Sequence, residues 1–242
     1  MPTERTQTIN TSDGASYDAW VFVPDRGAGP GIMLLQEIFG VGPFLRAKAN
    51  DLAALGYVVL CPDVFWRTER AVAHPHDEAG LAAAFASMTR WSEEVDDLTA
   101  IGDLLSAFES LRGLEEVGAR ASAVMGYCLG GRLAYEVAVA SQPDAAVCYY
   151  GSGIGGRLDN AAEITCPVLF HYGGSDPFIP NDEVEAVQKA FAGRDDVEVH
   201  VHAGAGHAFE NSEAANFHDP DATARAWPIT VDFLARHLRP DD

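Results

Sequence analysis

Short apolar runs alternate with longer amphipathic stretches along this chain from about residue 31 onward. The apolar runs are residues 31–36, 57–61, 121–125, 145–149 and 168–171, each bounded by Gly, Pro, Asp or charged residues. Uninterrupted runs of this length predict buried parallel strands, because helices cover both faces of such a strand. Residues 197–202 predict a further strand late in the chain. Between the runs the spacing turns helical. Leu98, Ile101, Leu105, Phe108 and Leu111 repeat on one face, and so do Trp227, Val231, Leu234 and Leu238. A helix over about 44–55 would close at Gly56. Upstream, Ile9 and the run 17–23 suggest an antiparallel lead-in.

This alternation predicts an α/β fold, an open and mostly parallel sheet with helices on both faces. Neither an internal repeat nor a low-complexity linker interrupts it, so residues 1–242 are expected to form one domain. The stretch 67–91 is the least regular. It holds His74 and His76 and an Ala-rich helix over about 80–88. An excursion over the C-terminal edge of the sheet would fit, and such excursions help form the pocket in many α/β enzymes.

Composition narrows the partners. The formal net charge is −20, with 48% hydrophobic and 21% charged residues. The charge argues against nucleic acid or an anionic membrane as a partner, and the composition is that of a soluble globular protein. The first 16 residues are polar, unlike a signal peptide, and no apolar run approaches membrane-spanning length. The cysteines, Cys61, Cys128, Cys148 and Cys166, show neither metal-site spacing nor a short-range disulfide framework. A reducing, cytoplasmic home is the simplest expectation. Nothing sets the oligomeric state, and a monomer is compatible with it.

The chemistry concentrates at Gly126-Tyr127-Cys128-Leu129-Gly130-Gly131, between the run 121–125 and a helical stretch. Gly-x-nucleophile-x-Gly at a strand-to-helix turn is a nucleophile elbow, with cysteine here in the position serine usually takes. The alternative is an inert core cysteine. Two later features favour the nucleophile. The run 168–171 leads into a Gly-rich turn ending at Asp176, and the strand 197–202 leads to His207. Nucleophile, acid and histidine thus follow in the order of α/β-hydrolases, all at strand ends on one sheet edge. Asp176 would orient His207, and His207 would generate the Cys128 thiolate. The oxyanion hole would use the N–H of Leu129 and that of Ile38, in the loop after the run 31–36.

Together these residues resemble the dienelactone hydrolase (carboxymethylenebutenolidase) family. The matching pieces are Gln36-Glu37-Ile38-Phe39-Gly40, Gly56-Tyr57, Cys61-Pro62-Asp63, the Cys128 elbow, Tyr149-Tyr150-Gly151 and Ala205-Gly206-His207. The resemblance implies a single α/β-hydrolase domain and a Cys128–His207–Asp176 triad. It also implies hydrolysis of a lactone or ester without metal or organic cofactor. It gives Glu37 a role, holding the resting thiol neutral until substrate entry displaces the carboxylate to take the thiol proton. A solvated glutamate at a strand end is the alternative.

The chain departs from the family at the carboxylate clamp that the resemblance implies. Four residues past His207, where an arginine would hold the substrate carboxylate, stands Asn211. After Cys61-Pro62-Asp63 no arginine lines up, Arg67, Arg70 and Arg90 being the nearest. An uncharged ester or lactone is therefore expected, with Asn211 beside it. Phe39, Trp66, Tyr150 and Phe209 are expected as an aromatic pocket wall, though each also reads as core. His200 and His202 share a strand face but read as a polar edge rather than a metal pair. His74 and His76 line the pocket or belong to a solvated loop. Cys61, Cys148 and Cys166 adjoin apolar strands and read as buried thiols. The rival to a hydrolase is a binding protein that keeps the fold and uses the pocket as a receptor. A serine-type lipase fails on Cys128.

Overall fold

The computed structural model describes residues 2–240. Among these residues eight strands form one sheet in the order β1-β2-β4-β3-β5-β6-β7-β8. The lead-in is antiparallel, as its pattern suggests. In β1, Thr3–Asn10, burial alternates along the strand; it pairs with β2, Ser16–Val23, and β2 pairs antiparallel with β4, Val58–Pro62. From there the sheet is parallel. β3 (Gly31–Leu35), β5 (Ser122–Tyr127), β6 (Ala145–Tyr149) and β7 (Val168–Gly173) are buried along their whole length, as uninterrupted apolar runs require. β8, Val197–His202, closes the far edge and is only partly covered.

Helices cover both faces. On one side α1 (Pro43–Ala54) packs on β2 and β4, and α6 (Pro220–Leu238) packs on β6, β7 and β8. On the other, α3 (Asp97–Arg112) and α4 (Leu129–Ser141) pack on β3, β5 and β6. There α5, Asn181–Ala190, meets a 3₁₀ stretch, Ile154–Glu163, that sequence periodicity does not announce. Pro43 sits in the first turn of α1, where its missing N–H is harmless, and Gly56 just past the end takes φ 100°. The irregular stretch folds into α2, Glu78–Glu94, which runs past the Ala-rich segment at both ends; the Asp77 side chain caps its start at Gly80 N–H.

Register brings the parallel strands to one common edge. Leu35 lies beside Gly126, Tyr127 beside Tyr149, Tyr149 beside His171, and Gly173 beside His202. Loops separated by up to 170 residues in sequence therefore open within reach of each other.

Candidate active site

The elbow is built by contacts that only glycine permits. A Cβ on Gly126 would lie 2.1 Å from the Gly130 carbonyl oxygen, and one on Gly130 would lie 2.3 Å from that of Leu35. The close approach throws Cys128 into φ 55°, ψ −116°, a strained conformation for any residue with a side chain. The Cys128 N–H donates to the Tyr149 carbonyl (3.0 Å), and its own carbonyl accepts from Arg132 as α4 begins. Its sulfur thus stands at the N-terminus of α4, the positive end of the helix dipole.

Asp176 and His207 are carried by two loops stapled together. Gly174 N–H donates to the His202 carbonyl and Ser175 N–H to that of Ala205, both at 2.8 Å. Gly173 has no room for a side chain, since a Cβ would meet the Gly206 carbonyl oxygen at 2.4 Å. The result is a continuous relay. His207 Nδ1 lies 2.8 Å from Asp176 Oδ2, and His207 Nε2 lies 3.1 Å from Cys128 Sγ. The other Asp176 oxygen accepts the Phe178 N–H at 2.8 Å, and the Phe178 ring meets the imidazole edge-on at 5.1 Å. Burial pulls the His207 pKa down, but the Cys128 sulfur and the Asp176 carboxylate outweigh it and hold the imidazole above its usual value.

Glu37 is buried beside this relay. Its hydrogen bonds come from Asn211 Nδ2 (2.5 Å) and Tyr150 OH (3.3 Å), while the Cys128 sulfur faces His207. Burial pushes the Glu37 carboxyl up to about 7, against the lowering pull of His207, Asn211 and Tyr150.

Cys128, His207 and Glu37 open onto a cavity of about 210 Å³. Ile38, Phe39, Ser152 and Ala208 border it near the reactive groups. Leu81, Phe85 and Met88 from α2, with Phe178 and Phe217, complete an apolar wall. Leu129 opens α4, whose first-turn N–H groups have no intrahelical partner.

Several expected wall residues stand elsewhere. Trp66 lies flat on Tyr17 (4.8 Å, 8°), and its Nε1–H donates to Asp103 on α3, so it is core and not pocket. Tyr150 and Phe209 are fully buried behind the triad, 5.2 Å apart and nearly perpendicular. Asn211 is also fully buried; its amide is spent on Glu37, so it belongs to the support of that carboxyl. Of the aromatic wall, Phe39 alone borders the cavity. The nearest arginines are committed too. Arg67 pairs with Asp103 and Asp13, Arg70 donates to the Ser16 carbonyl, and Arg90 pairs with Glu94.

The histidines divide. His76 packs against Phe39 at 4.1 Å with the rings tilted by 36°, and His74 Nε2 meets Ser87 Oγ at 2.9 Å. His200 meets Glu198, whereas His202 turns inward to His171 Nδ1 at 2.9 Å. Cys61, Cys148 and Cys166 are buried thiols, each pKa raised chiefly by burial. Periodicity missed α2's contribution, yet a signal was there. Leu81, Phe85 and Met88 fall at i, i+4 and i+7, and Phe85 stays 41% exposed, an apolar stripe that the core covers only in part.

A mostly parallel sheet carrying a strained nucleophile turn, with acid and histidine following at later strand ends, defines an α/β-hydrolase. Its solved likenesses have the same fold. A dienelactone hydrolase-like promiscuous phosphotriesterase from metagenomic libraries superposes with a TM-score of 0.81 at 23% identity, over 97% of this chain and 99% of that one. A dienelactone hydrolase from Anabaena variabilis superposes with a TM-score of 0.72 at 15% identity, over 98% and 99%. Sequence is more specific. The chain belongs to the dienelactone hydrolase family, whose profile matches residues 17–238. It is 36% identical to a carboxymethylenebutenolidase of Pseudomonas sp. strain P51, over 95% of this chain and 94% of that one. It is 34% identical to a carboxymethylenebutenolidase of Pseudomonas putida, over 94% of each.

Proposed function

We propose that this chain hydrolyses a small lactone or ester through a cysteinyl acyl-enzyme. The supporting observation is the relay itself, His207 within hydrogen-bond reach of both Cys128 Sγ and Asp176. The Cys128 thiolate attacks the substrate carbonyl carbon, and the carbonyl electron pair moves onto oxygen. The N–H groups of Leu129 and Ile38 receive that oxyanion. As the C–O bond breaks, the leaving oxygen takes the proton from the His207 imidazolium. In a lactone it remains tethered as a hydroxyl. Water then attacks the thioester while His207 takes its proton, and the thiolate departs. Asp176 fixes the imidazole tautomer and offsets its positive charge in both halves. Glu37, with a pKa near 7, lines the same cavity as the thiol and serves as proton acceptor when substrate enters. The free cysteines suit a reducing, cytoplasmic setting.

The test is pre-steady-state hydrolysis of p-nitrophenyl acetate. The expected result is a burst of nitrophenol stoichiometric with enzyme and a loss of at least about a thousandfold in turnover for Cys128→Ala. Wild-type rates in Cys128→Ala would overturn the mechanism. Acetate analogues that bind without any burst would indicate a receptor.

A further inference from the structure

The wall of the catalytic cavity implies a particular substrate chemistry. Resting on the hydrolase reading above, we infer that the substrate is an uncharged ester or lactone carrying an apolar group, and that the cavity excludes carboxylates. Three observations carry this. First, among the described residues no lysine or arginine borders the cavity; Leu81, Phe85, Met88, Phe178 and Phe217 make its wall. Second, the acidic group that does border it, Glu37, is buried and faces the space a substrate would fill. Third, His207, the one group among the described lining residues able to bear positive charge, has both ring nitrogens engaged, by Asp176 and by Cys128.

A carboxylate entering would lose its water and meet Glu37, and the nearby His207, engaged by Asp176 and Cys128, leaves it no free cation to pair with. An alkyl or aryl group entering would bury apolar surface against five hydrophobic side chains. The surroundings reinforce the sign. An adjoining cleft shares Phe39, Leu81 and Phe217 with the cavity and adds Asp77 and Glu78. Its one histidine, His76, has its pKa lowered by burial. Arginines that would reverse the sign are tied into ion pairs or to a backbone carbonyl, Arg67 between two aspartates. The cavity volume, about 210 Å³, lies below the ~300–1,000 Å³ usual for drug-sized ligands, so the acyl and leaving groups are small.

The experiment compares kcat/KM for p-nitrophenyl hexanoate and mono-p-nitrophenyl adipate, matched in acyl length and differing by a terminal carboxylate, with uncatalysed hydrolysis subtracted. The wild-type enzyme is expected to favour the hexanoate by at least about tenfold. Phe85, 41% exposed on α2 at the rim, is the place to add a charge without burying it. Phe85→Arg should raise the adipate value relative to the hexanoate by about tenfold or more. Phe85→Gln, which changes shape without charge, should lower the hexanoate and leave the adipate no better. A wild-type preference for the adipate overturns the inference while leaving the hydrolase reading intact. So does a Phe85→Arg ratio equal to that of Phe85→Gln. Turnover of neither ester by the wild type overturns the hydrolase reading, and the inference with it.

Discussion

Glu37 places a carboxyl where burial opposes its ionisation, and its folded-state pKa rises from 4.5 to about 7. Its immediate neighbours are the Asn211 amide, the Tyr150 hydroxyl and the His207 imidazole. Below pH 4.5 the group is protonated whether the chain is folded or not. Between 4.5 and 7 the folded chain holds a proton that the unfolded chain has released. Stability contributed by this group therefore falls as pH rises through that window, by on the order of 3 kcal/mol in total. Glu37→Gln keeps an acceptor for Asn211 and cannot ionise. The unfolding free energy of Glu37→Gln relative to wild type should rise by about that amount between pH 4.5 and 7.5, measured by urea denaturation at each pH. A difference that stays flat would show that Glu37 titrates normally and that its burial is relieved in solution.

Among the elements, the turn between β5 and α4 is held by backbone against backbone. At Gly130 an added Cβ would meet the carbonyl oxygens of Leu35 at 2.3 Å and Gln36 at 2.7 Å. Neither contact can be relieved by a side-chain rotation, so β3 and α4 must part. Gly130→Ala should cost about 1–3 kcal/mol in urea unfolding. It should also reduce kcat/KM by about a hundredfold, because the sulfur and the Ile38 loop shift against each other. Gly102, inside α3 with nothing within 4 Å of an added Cβ, is the contrast. Gly102→Ala should raise stability by roughly 0.5–1 kcal/mol and leave kcat/KM unchanged. Equal effects at the two positions would mean that helix propensity, and not the close approach, governs the turn.

For the whole molecule, the loop that carries His207 is anchored to a distant helix by a buried charge pair. Lys48 Nζ of α1 meets Glu210 Oε1 at 2.5 Å and lies 4.3 Å above the Trp227 ring of α6. Glu210 is fully buried, and burial raises its pKa even beside Lys48. Removing the cation leaves a carboxylate in the interior with no counter-charge. Lys48→Met is expected to lose about 3–5 kcal/mol, and Lys48→Met with Glu210→Met should recover most of that loss. Thermal unfolding of the two variants checks it. A double variant no better than Lys48→Met alone would show that the pair serves packing and not charge balance.

The hydrophobic pattern by itself determined the parallel strands, the antiparallel lead-in and the shared edge where Cys128, Asp176 and His207 stand. These are local consequences. A buried strand must be apolar throughout, a turn must carry glycine where backbones touch, and a residue just past a parallel strand end has one edge to occupy. The tertiary structure decided the rest. Trp66 and Phe39 both follow apolar strands, yet one stacks on Tyr17 inside the core and the other borders the cavity. Asn211 sits where the family resemblance placed a substrate contact, and the fold turns it onto Glu37. The apolar stripe of α2 becomes a wall because the loop after β4 brings it back over the sheet edge, held partly by the Gly40–Ala73 bridge. Sequence spacing encodes which residues share a face over a few turns of chain. Which face a loop returns to, and which distant group a side chain meets there, is settled by long-range packing, because each buried polar group must find its partner within the space the other elements leave.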